Sequence, residues 1–316
     1  MKASFVIPCF RSTKSLIRLV EDIEEIFRNR QIEFEVILIL DSRDDGTLQL
    51  ANHLLRSFPE VQVKRLSRNF GQQQATAAGI SASRGQIVLT MDDDYQHRPE
   101  DALKMLDLLD SDHEIDLVYG RPTLATSSRS RDLSGILYRK AMRFVGLEFA
   151  ESMSAFRAFR GNFRDVFGKD SSPNTPVDIT LSWVVANVVI HRCKFYPREE
   201  GQTGYSRKML VKLALRALTT YTVKPLYLGL YLGLFGIVAS AVVAVTVTVL
   251  RLWGGIDFPG FASTTLLILG VGSLQLFLLG IIGIYVGRQH ERGLARPSFF
   301  ILEEVKAQAF PLKESP

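Results

Sequence analysis

The chain predicts a mostly parallel α/β domain followed by a membrane-embedded helical segment. Over roughly the first 120 residues, short continuous apolar runs alternate with stretches whose apolar residues recur at helical spacing, the pattern of a parallel sheet covered on both faces. Two later stretches carry no charge at all: 26 residues from Pro225 to Leu250 and 30 from Phe258 to Gly287. A bilayer core takes about 20 apolar residues in helical form, so each stretch can span once. With 316 residues, 47% of them hydrophobic, the chain can also fill a sizeable soluble core.

The elements follow in order. "ASFVIPCF" is a short β-rich run, and the helix after it places Leu16, Leu19, Val20, Ile23, Ile26 and Phe27 on one face behind a cap at Ser12 or Thr13. The unit then repeats: "FEVILIL" as strand, "TLQLANHLLRSF" as helix, "VQVKRLS" as strand, "QQQATAAGISAS" as a small-residue helix and "GQIVLTM" as strand. "PEDALKMLDLLD" is a helix with Pro99 in its first turn, and "IDLVYG" closes the series as a strand. "RPTLATSSRSR" lacks apolar periodicity and reads as a loop; beyond it, "GILYRKAMRFV" reads as helix and "SAFRAFR" as strand or turn. "VDITLSWVVANVV" reads as one buried helix and "IHRCKFYP" as a strand. The resulting division is a catalytic-type domain over 1–200, an interfacial region over 201–224, two spans within 225–287 at about 226–250 and 264–287, and a tail over 288–316.

In the interfacial region Lys208, Lys212 and Arg216 fall four residues apart, a basic stripe suited to the lipid headgroup layer. Positive charge crowds before the first span (Arg207, Lys208, Lys212, Arg216, Lys224) and after the second (Arg288, Arg292, Arg296), which puts both chain ends in the cytoplasm of a multi-pass cytoplasmic-membrane protein. Gly229 with Gly233, and Gly283 with Gly287, have the spacing that permits close helix contact. The net charge of +5 therefore reads as attraction to anionic membrane lipid and not to nucleic acid, for which there is no motif. Cys9 and Cys193 are expected as free thiols, the N-terminus is too weakly apolar for a secretory signal, and no histidine or cysteine spacing suits zinc.

Ligands of such sheets bind beyond the carboxyl ends of the strands. Pro8 and Cys9, Asp41, Ser67 to Asn69, and Asp92 to Asp94 all fall at those ends, on one rim. In "LTMDDDYQHRPE", alternate residues of an extended chain point the same way, so Asp92 and Asp94 can face one site while Asp93 faces elsewhere. Magnesium or manganese suits such oxygen ligands, because hard cations take carboxylates and substrate phosphates together. Asp44 and Asp45, before Gly46, read as turn residues capping the helix at Thr47.

"VIPCF", "DSRDDGT", "LSRNFGQQQATAAGI", "MDDDYQHRPED", "FRAFR", "REEGQTGYS" and "GIYVGRQHERGLARPSFF" resemble, in order and spacing, the membrane-anchored family-2 glycosyltransferases that load sugars onto polyprenyl phosphate. That group includes bactoprenol glucosyltransferases, undecaprenyl-phosphate aminoarabinose transferases and dolichyl-phosphate mannose synthases. The resemblance implies a GT-A domain and an inverting transfer from a nucleotide sugar, a UDP-sugar foremost, to undecaprenyl phosphate. The product would serve cell-envelope glycan, lipopolysaccharide or protein modification. It also implies that Asp92, Asp94 and Gln96 hold Mg2+ or Mn2+ and the donor diphosphate, that Asp41 binds the base and that Pro8 lines the nucleotide pocket. Arg121, Arg131, Ser134 and Arg198 match positions at the acceptor phosphate or donor diphosphate, with Arg129 able to exchange with Arg131. The chain departs from the family's pattern at Arg11 and Ser12, at Gly204 and Ile284, and at Ala155, where many relatives have an acid that could serve as base. A homo-oligomer is also among the expected partners.

A second phosphate pKa of about 6 leaves the lipid phosphate largely dianionic at neutral pH, so the acceptor needs little help from a base. Two other readings compete. A processive polysaccharide synthase usually carries more spans and a "QxxRW"-like motif that this sequence lacks, and a non-catalytic membrane scaffold has no use for Asp92 and Asp94 in this setting.

Overall fold

A computed structural model of the protein describes residues 2–41, 45–123, 153–168, 175–194, 196, 224–253, 260–294 and 297–305. The chain divides into two compact units, 1–132 with 147–204 and 295–316, and 133–146 with 205–294.

The first unit alternates as the apolar periods require: β1 (Ala3–Cys9), α1 (Ser15–Asn29), β2 (Phe34–Leu40), α2 (Asp45–Ser57), β3 (Val61–Leu66), α3 (Gln72–Ala82), β4 (Ile87–Thr90), α4 (Pro99–Ser111) and β5 (Leu117–Pro122). After these come β6 (Arg157–Arg160), a 3-10 helix (Gly161–Phe167), α5 (Val177–Ser182), β7 (Val188–Cys193) and β8 (Ile301–Val305). The strands form one sheet in the order β7-β5-β6-β4-β1-β2-β3-β8. Only β6 and β8 run antiparallel to their neighbours. β1 and β2 are buried along their whole length, which is why their sequences are continuous apolar runs and not alternating ones. One core cluster packs α1, α2 and α4 on one face; a second packs α3, the 3-10 helix and α5 on the other.

A buried polar knot closes the amino end of the sheet. Ser4 donates to Glu35 Oε1 at 2.6 Å, Gln62 Nε2 donates to Glu35 Oε2 at 2.8 Å, and the Arg84 amide donates to Oε1 at 2.7 Å. Glu35 is thus buried with its oxygens satisfied, and the turn from α3 into β4 is pinned to β1 and β2.

Three expectations are corrected. The stretch 177–189 is not one helix: α5 ends at Ser182, Trp183 is 61% exposed, and Val188 already belongs to β7. Asp116 Oδ2 accepts hydrogen bonds from the amides of Ala186 and Asn187 at 2.8 and 3.0 Å, which turns the chain and hands the β-branched valines to the sheet. The cap of α1 is Lys14 without a side-chain bond; of the two expected caps, the Ser12 hydroxyl donates to Asp93 and the Thr13 hydroxyl pairs with Ser15 Oγ at 2.8 Å. The segment after 288 is more than a tail, since Ile301–Val305 pairs antiparallel with β3, Arg65 meets Glu303 at 3.1 Å, and Phe299 is buried.

The second unit holds α6 (Lys224–Leu252) and α7 (Phe261–Gly293). Among the described residues one helical segment, Gly270–His290 in α7, is long and apolar enough to cross a bilayer; the apolar stretch assigned to α6 is Gly229–Val243. Of the paired glycines, Gly229 meets the other helix closely, with a Cβ there falling 2.7 Å from Leu278, whereas Gly233, Gly283 and Gly287 have open space around them. The basic stripe at Lys208, Lys212 and Arg216 lies outside the described residues.

α3 approaches the sheet over Gly79, where a Cβ would collide with Val6 and lie 3.1 Å from Ile39. Replacing a mid-helix glycine by alanine ordinarily gains about 1 kcal/mol. Here Gly79→Ala is expected to lose about 1–3 kcal/mol through overpacking, seen as a lowered midpoint in thermal unfolding. An unchanged or raised midpoint would show that α3 does not press on β1.

Candidate active site

Strand order reverses at β1: the chain first moves from β1 to β2 and β3, then returns to lay β4 on the other side. Such a switch point opens a crevice at the carboxyl ends of the strands. Register sets what stands there. Cys9 lies opposite Leu40 and Val6 opposite Thr90, the Asp41 amide bonds the Cys9 carbonyl at 2.9 Å, and the Met91 amide bonds the Val6 carbonyl at 3.2 Å. Asp41 and the Asp92–Asp94 turn therefore leave the sheet on either side of the end of β1. Between them is a cleft of about 420 Å³ whose lining includes Pro8, Asp41, Gln72, Asp92, Asp93 and Asp94.

Asp41 is 2% exposed. Its Oδ1 accepts the Phe70 amide at 2.7 Å and its Oδ2 the Gly71 amide at 2.8 Å. Gly71 has φ +95°, a left-handed conformation that glycine adopts without a Cβ clash, and it turns the chain into α3. Burial pushes the Asp41 carboxyl above its ordinary value, and the two amide bonds pull back without cancelling that effect. The aspartate expected at the base thus also anchors the turn that opens α3.

The three consecutive aspartates have three different attachments. Asp92 Oδ1 accepts from Gln72 Nε2 at 2.6 Å. Asp93 accepts from the Ser12 hydroxyl, and its carbonyl accepts from Ser15 Oγ at 2.8 Å, so it ties the β1–α1 loop to the loop after β4. Asp94 Oδ1 accepts from the Gln96 amide at 3.2 Å. Cys9 also lines the cleft, but burial, with the Asp93 charge second, raises its thiol well above the usual range and keeps it protonated. Two non-glycine residues with positive φ bound the site, Arg11 at +52° and Tyr95 at +56°. Tyr95 is held by a hydrogen bond from its hydroxyl to Asp22 and by the guanidinium groups of Arg18 and Arg98, 4.7 and 4.1 Å from its ring. Strained backbone of this kind persists where surroundings over-determine it.

The remaining expected residues divide. Gln96 is not part of the cleft lining; its side-chain amide donates to the Tyr196 carbonyl at 3.2 Å, and the Tyr196 amide bonds back to the Gln96 carbonyl at 3.1 Å. Arg121 is half-buried at the carboxyl end of β5, on the same rim but outside this cleft. Arg131, Ser134 and Arg198, with Arg129, lie outside the described residues, as does Asp44. Arg157 of the "FRAFR" motif is buried, its Nη1 donating to Asp178 Oδ1 at 2.5 Å while the Tyr119 hydroxyl donates to the same oxygen at 2.8 Å. The sequence predicted no site role for Gln72 or Asp178, and for Ser12 only that of a helix cap. The three consecutive glutamines at the start of α3, Gln72 to Gln74, were the available signal for Gln72.

Asp92, Asp93 and Asp94 all contribute hard-oxygen carboxylates to the cleft, so Asp93 does not face elsewhere as the strand alternation predicted; the turn after β4 ends that alternation, and the Ser12 hydroxyl holds the Asp93 carboxylate at the cleft. Among the described residues no group of three His, Cys, Asp or Glu side chains could hold a metal ion. The donor set, carboxylate oxygens alone, is of the chemistry that a cation of the magnesium type takes, with phosphate oxygens and water completing its shell. It does not fit a closed structural metal site.

A largely parallel sheet with paired carboxylates at its switch point is the architecture of a GT-A glycosyltransferase domain. The chain belongs to glycosyl transferase family 2, whose model matches residues 4–169, just over half of its length, and it is a glycosyltransferase. It is 26% identical to an uncharacterized glycosyltransferase of Synechocystis over 319 residues, covering 99% of both chains. It is 28% identical to the undecaprenyl-phosphate 4-deoxy-4-formamido-L-arabinose transferase of Pseudomonas savastanoi pv. phaseolicola over 316 residues, covering 99% of this chain and 93% of that one. Among solved structures, glucosyl-3-phosphoglycerate synthase from Mycobacterium tuberculosis, in complex with uridine-diphosphate, matches with a TM-score of 0.50 and 16% identity over 70% of this chain and 78% of that one. At that identity the likeness establishes the fold.

Because the folded state raises the Asp41 pKa, it binds this proton more readily than the unfolded chain. The Asp41 contribution to stability is therefore largest at low pH and is lost as pH rises from about 3.8 through the raised value. Asp41→Asn should remove that pH dependence, and it should also cost about 1–3 kcal/mol near neutrality by setting an amide NH2 against one of the two backbone N–H groups. Thermal unfolding between pH 4 and 7 checks both; a variant as stable as the parent would refute the anchor.

Proposed function

We propose that this glycosyltransferase moves a sugar from a nucleoside-diphosphate sugar, a UDP-sugar foremost, to undecaprenyl phosphate at the cytoplasmic face of the membrane. The observation that carries the reading is the placement of Asp41, Asp92 and Asp94 around one cleft at the switch point. Support for the acceptor comes from the near full-length similarity to an undecaprenyl-phosphate sugar transferase. The exposed apolar side chains of α7, Leu267, Leu276, Phe277 and Leu279 among them, suit contact with lipid. α6 serves as the second span, and the two chain ends share the cytoplasmic side.

In this reading the nucleoside sits against Pro8 and Asp41, and the diphosphate extends toward Asp92 and Asp94. Those two carboxylates would hold a Mg2+ or Mn2+ ion, which when bound would supply Lewis-acid stabilisation of the leaving diphosphate. Gln96 acts from its tie to Tyr196, ordering the loop after β4 rather than ligating directly. The acceptor phosphate, already dianionic, attacks the anomeric carbon from the face opposite the diphosphate. A carbon–oxygen bond to the acceptor forms as the bond to the nucleoside diphosphate breaks, and the anomeric centre inverts. No protein base takes a proton, which accords with Ala155 standing where many relatives have an acid. Arg121, Arg131, Ser134 and Arg198 offset repulsion between the two phosphate groups.

Membranes containing the protein, given polyprenyl phosphate and a panel of labelled UDP-, GDP- and dTDP-sugars, are expected to form one labelled lipid whose mass identifies the sugar. Asp94→Asn should lower the rate by at least about 100-fold, the scale set by losing one element of transition-state charge stabilisation. Absence of labelled lipid with every donor, or full activity in Asp94→Asn, would refute the reading.

A further inference from the structure

We infer that Gln72 is a positioning residue that fixes the carboxylate plane of Asp92 for a divalent cation, and that Asp41 holds Gln72 in place to do so. The assignment rests on the metal-dependent reading of the cleft and adds to it a residue outside the expected ligand set.

The geometry runs through one helix end. Gln72 opens α3, and its Nε2 donates to Asp92 Oδ1 at 2.6 Å. An isolated bond between two such accessible side chains would be weak and mobile, because each group can exchange its partner for water. Here the backbone of Gln72 is immobilised from both sides. The two residues before it give their amides to Asp41 at 2.7 and 2.8 Å, and the Gly71 carbonyl accepts from the amides of Gln74 and Ala75 at 3.0 Å each. On the other flank, Gln73 Oε1 accepts the Val177 amide at 3.0 Å and ties the same turn to α5. The Gln72 side chain therefore starts from a fixed point.

The residue type matters as much as the position. A lysine or arginine at 72 would form an ion pair with Asp92 and compete with a cation for its charge. A carboxamide donates one neutral hydrogen bond and itself takes no charge from Asp92. With Oδ1 tied, a cation meets a ligand already oriented and does not have to stop a rotating one. This is the arrangement by which groups beyond the ligands tune a metal site.

The link also joins the two ends of the proposed donor site. Asp41, expected against the base, and Asp92, expected against the diphosphate and its cation, are connected by the two residues before α3 and the first side chain of that helix.

The test is a Mn2+ titration of the full-length protein in detergent with UDP present, reading free Mn2+ by electron paramagnetic resonance. The parent, Gln72→Met, Gln73→Met and Asp94→Asn are compared. Gln72→Met should weaken Mn2+ binding about tenfold, the usual cost of losing a partner that orients a ligand, and Gln73→Met by less than about twofold. At saturating Mn2+ the sugar-transfer rate of Gln72→Met should return to within about threefold of the parent, because the lost interaction serves cation binding and not the chemical step. Equal Mn2+ affinity in parent and Gln72→Met, or equal weakening in both glutamine variants, would overturn the role of Gln72 while leaving the metal reading intact, provided Asp94→Asn abolishes binding. A parent that binds no Mn2+ beside UDP would overturn the metal reading and this assignment with it.

Discussion

Everything polar near the site depends on β1 being buried on both faces from Ala3 to Cys9. A strand that pairs in parallel with β2 on one side and β4 on the other, with helices above and below, has no wall on which to mount a charged group without stranding it. The charge that chemistry requires can appear only where the strands end. The register of the pairing then decides which residues share that end, and it brings Asp41 and the Asp92–Asp94 turn to the two sides of Cys9. A one-residue slip of β4 would turn every apolar side chain of that strand to the wrong face and move the aspartates with it.

Gathering four aspartates around one cleft costs electrostatic energy. Two unit charges 4 Å apart repel by about 4 kcal/mol at the effective dielectric of a protein surface. Neutral donors take part in holding each of them: backbone amides for Asp41, a glutamine for Asp92, a serine for Asp93 and the Gln96 amide for Asp94. Neutral donors orient the carboxylates without cancelling their charge. An arginine in place of any of these donors would instead cancel the charge that it orients. Arg157 is instead spent on Asp178, in a buried pair with Tyr119 away from the cleft lining.

The alternation of strands and helices through the first 120 residues was legible because buried parallel strands and amphipathic helices leave different periods, and nearly every element appears where the periods put it. The failures share a cause. Val188 and Val189 looked like the end of a helix because a buried helix and a buried strand are both continuously apolar, and Asp116, about seventy residues away, decides between them. Ser12 looked like a helix cap because that is what a serine before an apolar helix usually does, but Asp93 competes for its hydroxyl. β8 carries Glu303 and Glu304 on an exposed edge and its residues, ILEEV, follow no two-residue alternation, so only its pairing with Lys64 and Arg65 marks it as a strand.

The site shows the same division. Local pattern sufficed for the parallel α/β class and for the rim on which Pro8, Asp41, Asp92 and Asp94 stand, because strand periodicity and the termination of apolar runs are written in consecutive residues; it did not separate Asp93, which lines the same cleft. Family motifs along the chain sufficed for glycosyltransfer. Which donor meets each carboxylate was decided only by the tertiary structure. Gln72 to Asp92, Phe70 and Gly71 to Asp41, and Gln96 to Tyr196 are contacts between residues separated by 20 to 100 positions, and a hydrogen bond across such a distance depends on the packing of whole elements that no local pattern encodes.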